Sequence, residues 1–141
     1  MDMTTLNTGN TGRNTPDRMP SSLKWGVGLL WVQGALAVLS GVTLWIVAAD
    51  AADHGQEGTG LLTGLAIFYV GLGVVLAVAA GLAPGRWRAV RIVATAVQIL
   101  NVVGGVIGVT SGALQFLAGI ALALVVIRAF NSAEAKAWFN H

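Results

Sequence analysis

The run Ile92–Ile127, IVATAVQILNVVGGVIGVTSGALQFLAGIALALVVI, contains no charged side chain. As one α-helix it would be about 54 Å long at 1.5 Å per residue, far beyond the roughly 30 Å hydrocarbon core of a bilayer. Folded once on itself it is just long enough for two crossings. A turn has an obvious place, because Gly104-Gly105 and then Gly108-Val109-Thr110-Ser111-Gly112 combine small, β-branched and hydroxyl residues at which a helix can stop.

Outward from this run, two further charge-free stretches appear, Trp25–Ala49 and Gly58–Gly85, each long enough for one crossing with a little to spare. The spacing therefore predicts an all-α membrane protein with four transmembrane helices in an up-down bundle, near Trp25–Ala49, Leu61–Ala83, Arg88–Val109 and Gly112–Ala129. Charge gives an independent test of orientation, since Lys and Arg accumulate in short cytoplasmic segments while Asp and Glu matter little. With the N-terminus inside, all eight basic residues (Arg13, Arg18, Lys24, Arg86, Arg88, Arg91, Arg128 and Lys136) fall on the cytoplasmic side. The connection between the first two spans carries Asp50, Asp53, His54 and Glu57 and no Lys or Arg. A three-span chain would send Arg128 and Lys136 outside, so length and charge agree on four spans, a multi-pass cell-membrane location and cytoplasmic termini. Trp25 and Trp45 near the ends of the first span, Trp87 in the basic hairpin and Trp138-Phe139 near the C-terminus fit the aromatic enrichment of the headgroup layers; Trp31, inside a span, is read as a packing residue.

Composition sets what the chain can do. Of 141 residues 55% are hydrophobic and only 10% charged, with a mean hydropathy of +0.75, against about a quarter charged in an ordinary soluble domain. The absence of cysteine excludes thiol–disulfide chemistry, iron–sulfur ligation and thiolate nucleophiles. The spans carry no Asp, Glu, His, Lys or Arg away from their ends, which argues against a proton path, haem ligation and a nucleophile–base pair. No catalytic, cofactor-binding or metal-binding residue is assigned, and neither a cofactor nor a nucleic-acid partner is expected.

Three domains follow: residues 1–22 as a disordered cytoplasmic tail rich in Thr, Asn and Gly, 23–130 as the transmembrane domain, and 131–141 as a cytoplasmic interfacial tail. Ser21 or Ser22 after Pro20 is placed to cap the first span, and Asn131-Ser132 to start a short helix anchored by Trp138. A cleavable signal ending near Ala49-Asp50-Ala51 is the competing reading of the N-terminal segment; its apolar region would be well beyond the roughly 7–15 residues usual in a signal peptide.

Neutral polar groups are the remaining candidates: Gln33, Tyr69, Gln98, Asn101 and Gln115. Counted from Lys24 and Arg88, Gln33 and Gln98 lie about 14 and 15 Å above the cytoplasmic edge, at one depth. Gln33, Gln98 and Asn101 are read as an interhelical polar layer, serving either as amide glue between helices or as the lining of a solute path. Arg86, Trp87, Arg88 and Arg91 form a basic hairpin that would contact anionic lipid headgroups, or that reflects topology alone. Small residues four apart, Gly60/Gly64, Gly73/Ala77/Gly81 and Gly104/Gly108/Gly112, predict close helix packing. Asp50, Asp53, His54 and Glu57 at i, i+3, i+4 and i+7 would share a face if the first helix ran on past the membrane, and would then either ligate a divalent cation or form a solvated acidic loop. Gly64-x-x-x-Phe68-x-x-Gly71 and Gly112-x-x-x-Phe116-x-x-Gly119, with Val32-Gln33 and Val97-Gln98, allow a duplicated helical hairpin.

Through Trp31-Val32-Gln33, Arg86-Trp87-Arg88, Val97-Gln98 and Ala135-Lys136-Ala137-Trp138-Phe139, residues 21–139 resemble the small four-helix integral membrane proteins common in actinobacteria. The resemblance implies a fold and no assigned activity or functional residue; the Ala- and Val-rich, Lys-poor composition is similar to that of proteins from high-GC bacteria. The function expected is non-enzymatic: a scaffold or accessory subunit whose partners are the bilayer and either further copies of itself or a larger membrane complex. The alternative is a small channel, carrier or holin-like pore former for a neutral solute.

Overall fold

The computed structural model describes residues 17–140, and within them every regular element is helical: α1 (Ser21–Asp53), α2 (Thr59–Leu82), a 3₁₀ turn (Ala83–Gly85), α3 (Arg88–Thr110), α4 (Phe116–Asn131) and α5 (Ala133–Phe139). The first sixteen residues of the expected disordered tail, Arg13 among them, lie outside the described residues. Three helices, α1, α2 with the 3₁₀ turn, and α3, are each long and apolar enough to cross a membrane; α4 passes the same test only together with α5, from which it is bent by 60°.

Element boundaries follow local chemistry, with some departures from expectation. Neither Ser21 nor Ser22 caps α1; Pro20 holds the N-cap position, its extended backbone directing its carbonyl to the Lys24 N–H. At the far end α1 continues four residues beyond Ala49, because Ala51 and its neighbours sustain the helix until Gly55 turns in the left-handed region (φ 66°). The α3–α4 turn is longer than expected. Gly112 is not the start of the fourth helix but a left-handed turn residue (φ 89°), and α4 begins four positions later at Phe116. At 16 residues α4 is about 24 Å long, against about 50 Å for the 33-residue α1.

Packing divides the molecule into two antiparallel hairpins. In α1, Gly34, Gly41 and Ala48 are buried at intervals of seven; in α2, Ala66, Gly73 and Ala80 repeat the spacing. These two stripes meet backbone to backbone. A Cβ at Gly73 would stand 2.7 Å from the Gly34 carbonyl oxygen, and one at Gly41 2.8 Å from that of Ala66. The second hairpin uses glycine against large side chains, Gly105 against Ile120 and Gly108 against the Phe116 ring. The expected series are thus replaced in large part. Gly60, Gly64 and Gly104 face open space, Gly81 meets only the distant edge of Trp31, and the stripe that matters in α1 is Gly34/Gly41/Ala48.

The two hairpins join through a core at the end that carries the basic residues. Leu23 and Leu30, Leu76 and Ala80, Val90 and Val97, and Val126 and Phe130 form one cluster. Gly26 lets Ala129 and Phe130 approach α1, which closes the α1–α4 side. The cluster extends from the level of Gln33 and Gln98 to the basic end. Toward the acidic end, the buried residues of α1 and α2 serve their own hairpin.

The outer surface of the long helices is apolar. Trp25 (78% exposed), Leu61 (72%), Ile92 (68%) and Leu114 (66%) are the most exposed large hydrophobic side chains of the four long helices and their turns, while much of what the helices enclose is Gly and Ala, with one amide. Trp31 belongs to this surface, half exposed, and not to the packed interior.

Candidate functional site

Two constellations of side chains stand out, one in the bundle interior and one at its basic end. In the interior, α1 and α3 run parallel across the bundle diagonal, and each turns an amide inward. Gln98 Nε2 donates to Gln33 Oε1 at 2.7 Å, and Asn101 Nδ2 donates to Gln98 Oε1 at 3.4 Å. Gln98 is fully buried, while Gln33 and Asn101 are half-buried. The structure thus brings the three residues of the sequence-derived polar layer into one chain of hydrogen bonds. Each amide supplies both donors and an acceptor, so neighbouring amides can bond to one another in a row. Among the described residues no buried side-chain nitrogen or oxygen is left without a partner. Tyr69 is half-buried and sits edge-on to Phe68, and Gln115 is exposed in the α3–α4 turn; neither joins the layer.

At the basic end α5 folds back beneath the bundle. Ser132 begins it by accepting from the Ala135 N–H at 3.1 Å, the capping role its position predicts. The short helix has one face turned into the bundle and one, with Glu134 and Lys136, exposed. Ala135, Trp138 and Phe139 are buried, and Phe139 stacks on Phe130 with ring centroids 6.0 Å apart and 14° between planes. Trp138 donates from Nε1 to the Ala83 carbonyl at 3.2 Å, an oxygen that also accepts from the Arg86 N–H at 3.3 Å. The Arg86 guanidinium covers the Trp138 ring at 4.1 Å. Arg86 itself adopts the left-handed backbone region (φ 59°), uncommon for a side chain of its size, in the sharp reversal between α2 and α3. A seven-residue helix carries no sequence signal of what it packs against, so the contacts of Trp138 are not readable from its position.

The basic hairpin therefore splits by role. Arg86 packs on Trp138, Trp87 is exposed and lines a groove between α2 and α3, Arg88 is exposed and Arg91 is half-buried. Asn131 ties the second hairpin together nearby, donating from Nδ2 to Thr95 Oγ1 at 3.1 Å.

At the acidic end α1 does run on as far as Asp53, yet the four residues do not share a helical face. His54 Nδ1 hydrogen-bonds the Asp50 carbonyl at 2.8 Å, with the Asp50 carboxylate 3.7 Å away, and Glu57 lies beyond Gly55 in the turn. Among the described residues no group of three or more His, Cys, Asp or Glu side chains is arranged to hold a metal ion.

Comparison with protein-family models, with curated proteins and with solved structures finds no match.

Proposed function

We propose that the chain is a four-span protein of the cell membrane with both termini in the cytoplasm, and that it acts as a non-enzymatic scaffold or accessory subunit. The observation that carries the membrane reading is the inverted distribution of side chains. Monomeric soluble proteins rarely expose a contiguous apolar patch larger than a few hundred Å², whereas here Leu, Ile, Val, Phe and Trp cover the outside of every long helix and a glutamine is enclosed. Lipid satisfies such a surface; water does not. The α4–α5 pair then supplies the fourth crossing through α4, its short helix completed by the apolar turn residues Ala113 and Leu114.

The scaffold reading rests on the amide chain, in which Gln98 is fully buried and bonded on both sides. A solute path needs polar groups whose hydrogen bonds are available to the solute, and Gln98 spends its amide on Gln33 and Asn101. No Asp, Glu, His, Lys or Arg lies in the middle of a span to support proton transfer or covalent chemistry. The inner core and α5 close the basic end, a suitable base for side-by-side assembly through the lipid-facing helices. Reconstitution into liposomes tests the choice. The scaffold reading expects no flux of water, glycerol or small ions above that of empty vesicles; a flux abolished by Gln98→Leu, with the fold retained, would establish a channel instead.

A further inference from the structure

Beyond the amide layer, toward the acidic end, the close glycine contacts stay within each hairpin. Gly41 meets Ala66 and Val70 of its own hairpin, and Gly105 and Gly108 meet Ile120 and Phe116 of theirs. Ala48, Ala51 and Ala66 are buried there, yet none belongs to the cluster that joins the hairpins. The joining contacts lie nearer the basic end. Gln98 bonds to Gln33, and Gly26 admits Ala129 and Phe130 against α1. On the α2–α3 side the hairpins leave an apolar groove of about 270 Å³ between them, with Val74 and Val78 on one wall and Val93 on the other. Helix α5 belongs by sequence to the second hairpin and reaches across to the first. Trp138 bonds to the Ala83 carbonyl just after α2, and Ser22 Oγ in the first turn of α1 donates to Glu134 Oε2 at a long 3.5 Å. Phe139 holds the same helix to Phe130 of α4.

This bridging helix hangs on one residue. Ser132, with extended backbone (φ −61°, ψ 156°), is the single break between α4 and α5, which are bent by 60° from each other. Its hydroxyl sets that bend, donating to the Ala129 carbonyl and accepting from the Ala135 N–H, both at 3.1 Å. We propose that α5 is a clasp: docked, it holds the two hairpins as one body, and released by rotation at Ser132 it frees them to swing about the amide layer and part at the acidic end. A break of one residue suffices for such a hinge, because its φ and ψ absorb the change. The length of α1 makes the motion measurable. Ile46 stands about 20 Å along α1 from Gln33, so a swing of about 10° moves it by about 3 Å.

The chain has no cysteine, so nitroxides can be placed in pairs on the full chain in detergent and their separation read by double electron–electron resonance. One pair, Ile46→Cys with Ile107→Cys, spans the two hairpins from exposed positions; the other, Ile46→Cys with Ile67→Cys, lies within the first hairpin. With α5 unaltered, both pairs should give one narrow distance distribution. Trp138→Ala should at least double the width of the first and leave the second unchanged. Ser132→Gly removes the hydroxyl that bridges α4 and α5 and leaves every buried side chain in place; it should broaden the first pair by a smaller factor, and it carries the test if Trp138→Ala does not fold. A first-pair distribution unchanged by both substitutions, one already broad with α5 unaltered, or equal broadening of the two pairs would overturn the proposal.

Discussion

At the scale of single residues, the amide layer and the glycine contacts behave differently, and both can be measured. Interhelical side-chain hydrogen bonds in a membrane average about 0.6 kcal/mol and seldom exceed about 2 kcal/mol, because the separated helices find other partners. Gln98→Leu should therefore destabilise by about 1 kcal/mol, and the Gln33→Leu/Gln98→Leu pair by less than the sum of the single changes, since replacing both partners removes the stranded amide. Unfolding in a denaturing-detergent titration reads the cycle; a coupling well above that ceiling would mean that the layer does more than join helices. Glycine makes the sharper contrast. Gly73→Ala places a methyl 2.7 Å from a backbone oxygen that cannot rotate away, and should cost about 1–3 kcal/mol. Gly64→Ala, on the same helix and with no neighbour in reach of its new methyl, should be neutral or slightly stabilising. The depth of Gln33 and Gln98 was legible in the sequence because the constant rise of a helix turns a count from the nearest charge into a height. The packing glycines were less legible, since 19 glycines offer many four-residue pairs and only seven-residue spacing, shared by α1 and α2, marks the stripe that meets.

At the scale of elements, the positions of α1, α2 and α3 follow from hydropathy and charge, and their ends move only where a turn residue acts. Gly112 is the instructive case. It belongs by hydropathy to the fourth helix and by conformation to the turn, so α4 is shorter than the apolar run that contains it. The same residue separates the two Gly-x-x-x-Phe motifs, because Gly64 lies inside α2 whereas Gly112 precedes α4. Of the duplication signals only the two glutamines occupy related places, on parallel helices and in contact. Helix α5 was legible as a helix and not as a packed one. Trp138→Phe should keep the ring in place and lose the bond to the Ala83 carbonyl, a change of about 1 kcal/mol. Trp138→Ala should cost about 3–5 kcal/mol through the cavity it leaves. Thermal unfolding of both variants in detergent distinguishes this from a surface anchor, for which stability in detergent would hardly change.

At the scale of the whole molecule, the basic end is a closed core of large side chains and aromatic rings, and the acidic end is two hairpins held by small residues. The joint between these regimes is the amide layer. Overall charge asymmetry and the apolar exterior were both readable before any coordinate, because they depend on composition by segment. How the hairpins meet was not, because it depends on which of many similar Ala, Val and Gly faces interdigitate. The central claim, four crossings with both termini on one side, is open to direct measurement because the chain has no cysteine of its own. Single cysteines at Gln56, in the α1–α2 turn, and at Asn140, after α5, are treated with a membrane-impermeant maleimide on intact cells and again after lysis. The account predicts that Gln56→Cys labels on intact cells and Asn140→Cys only after lysis; labelling of both on intact cells would contradict it.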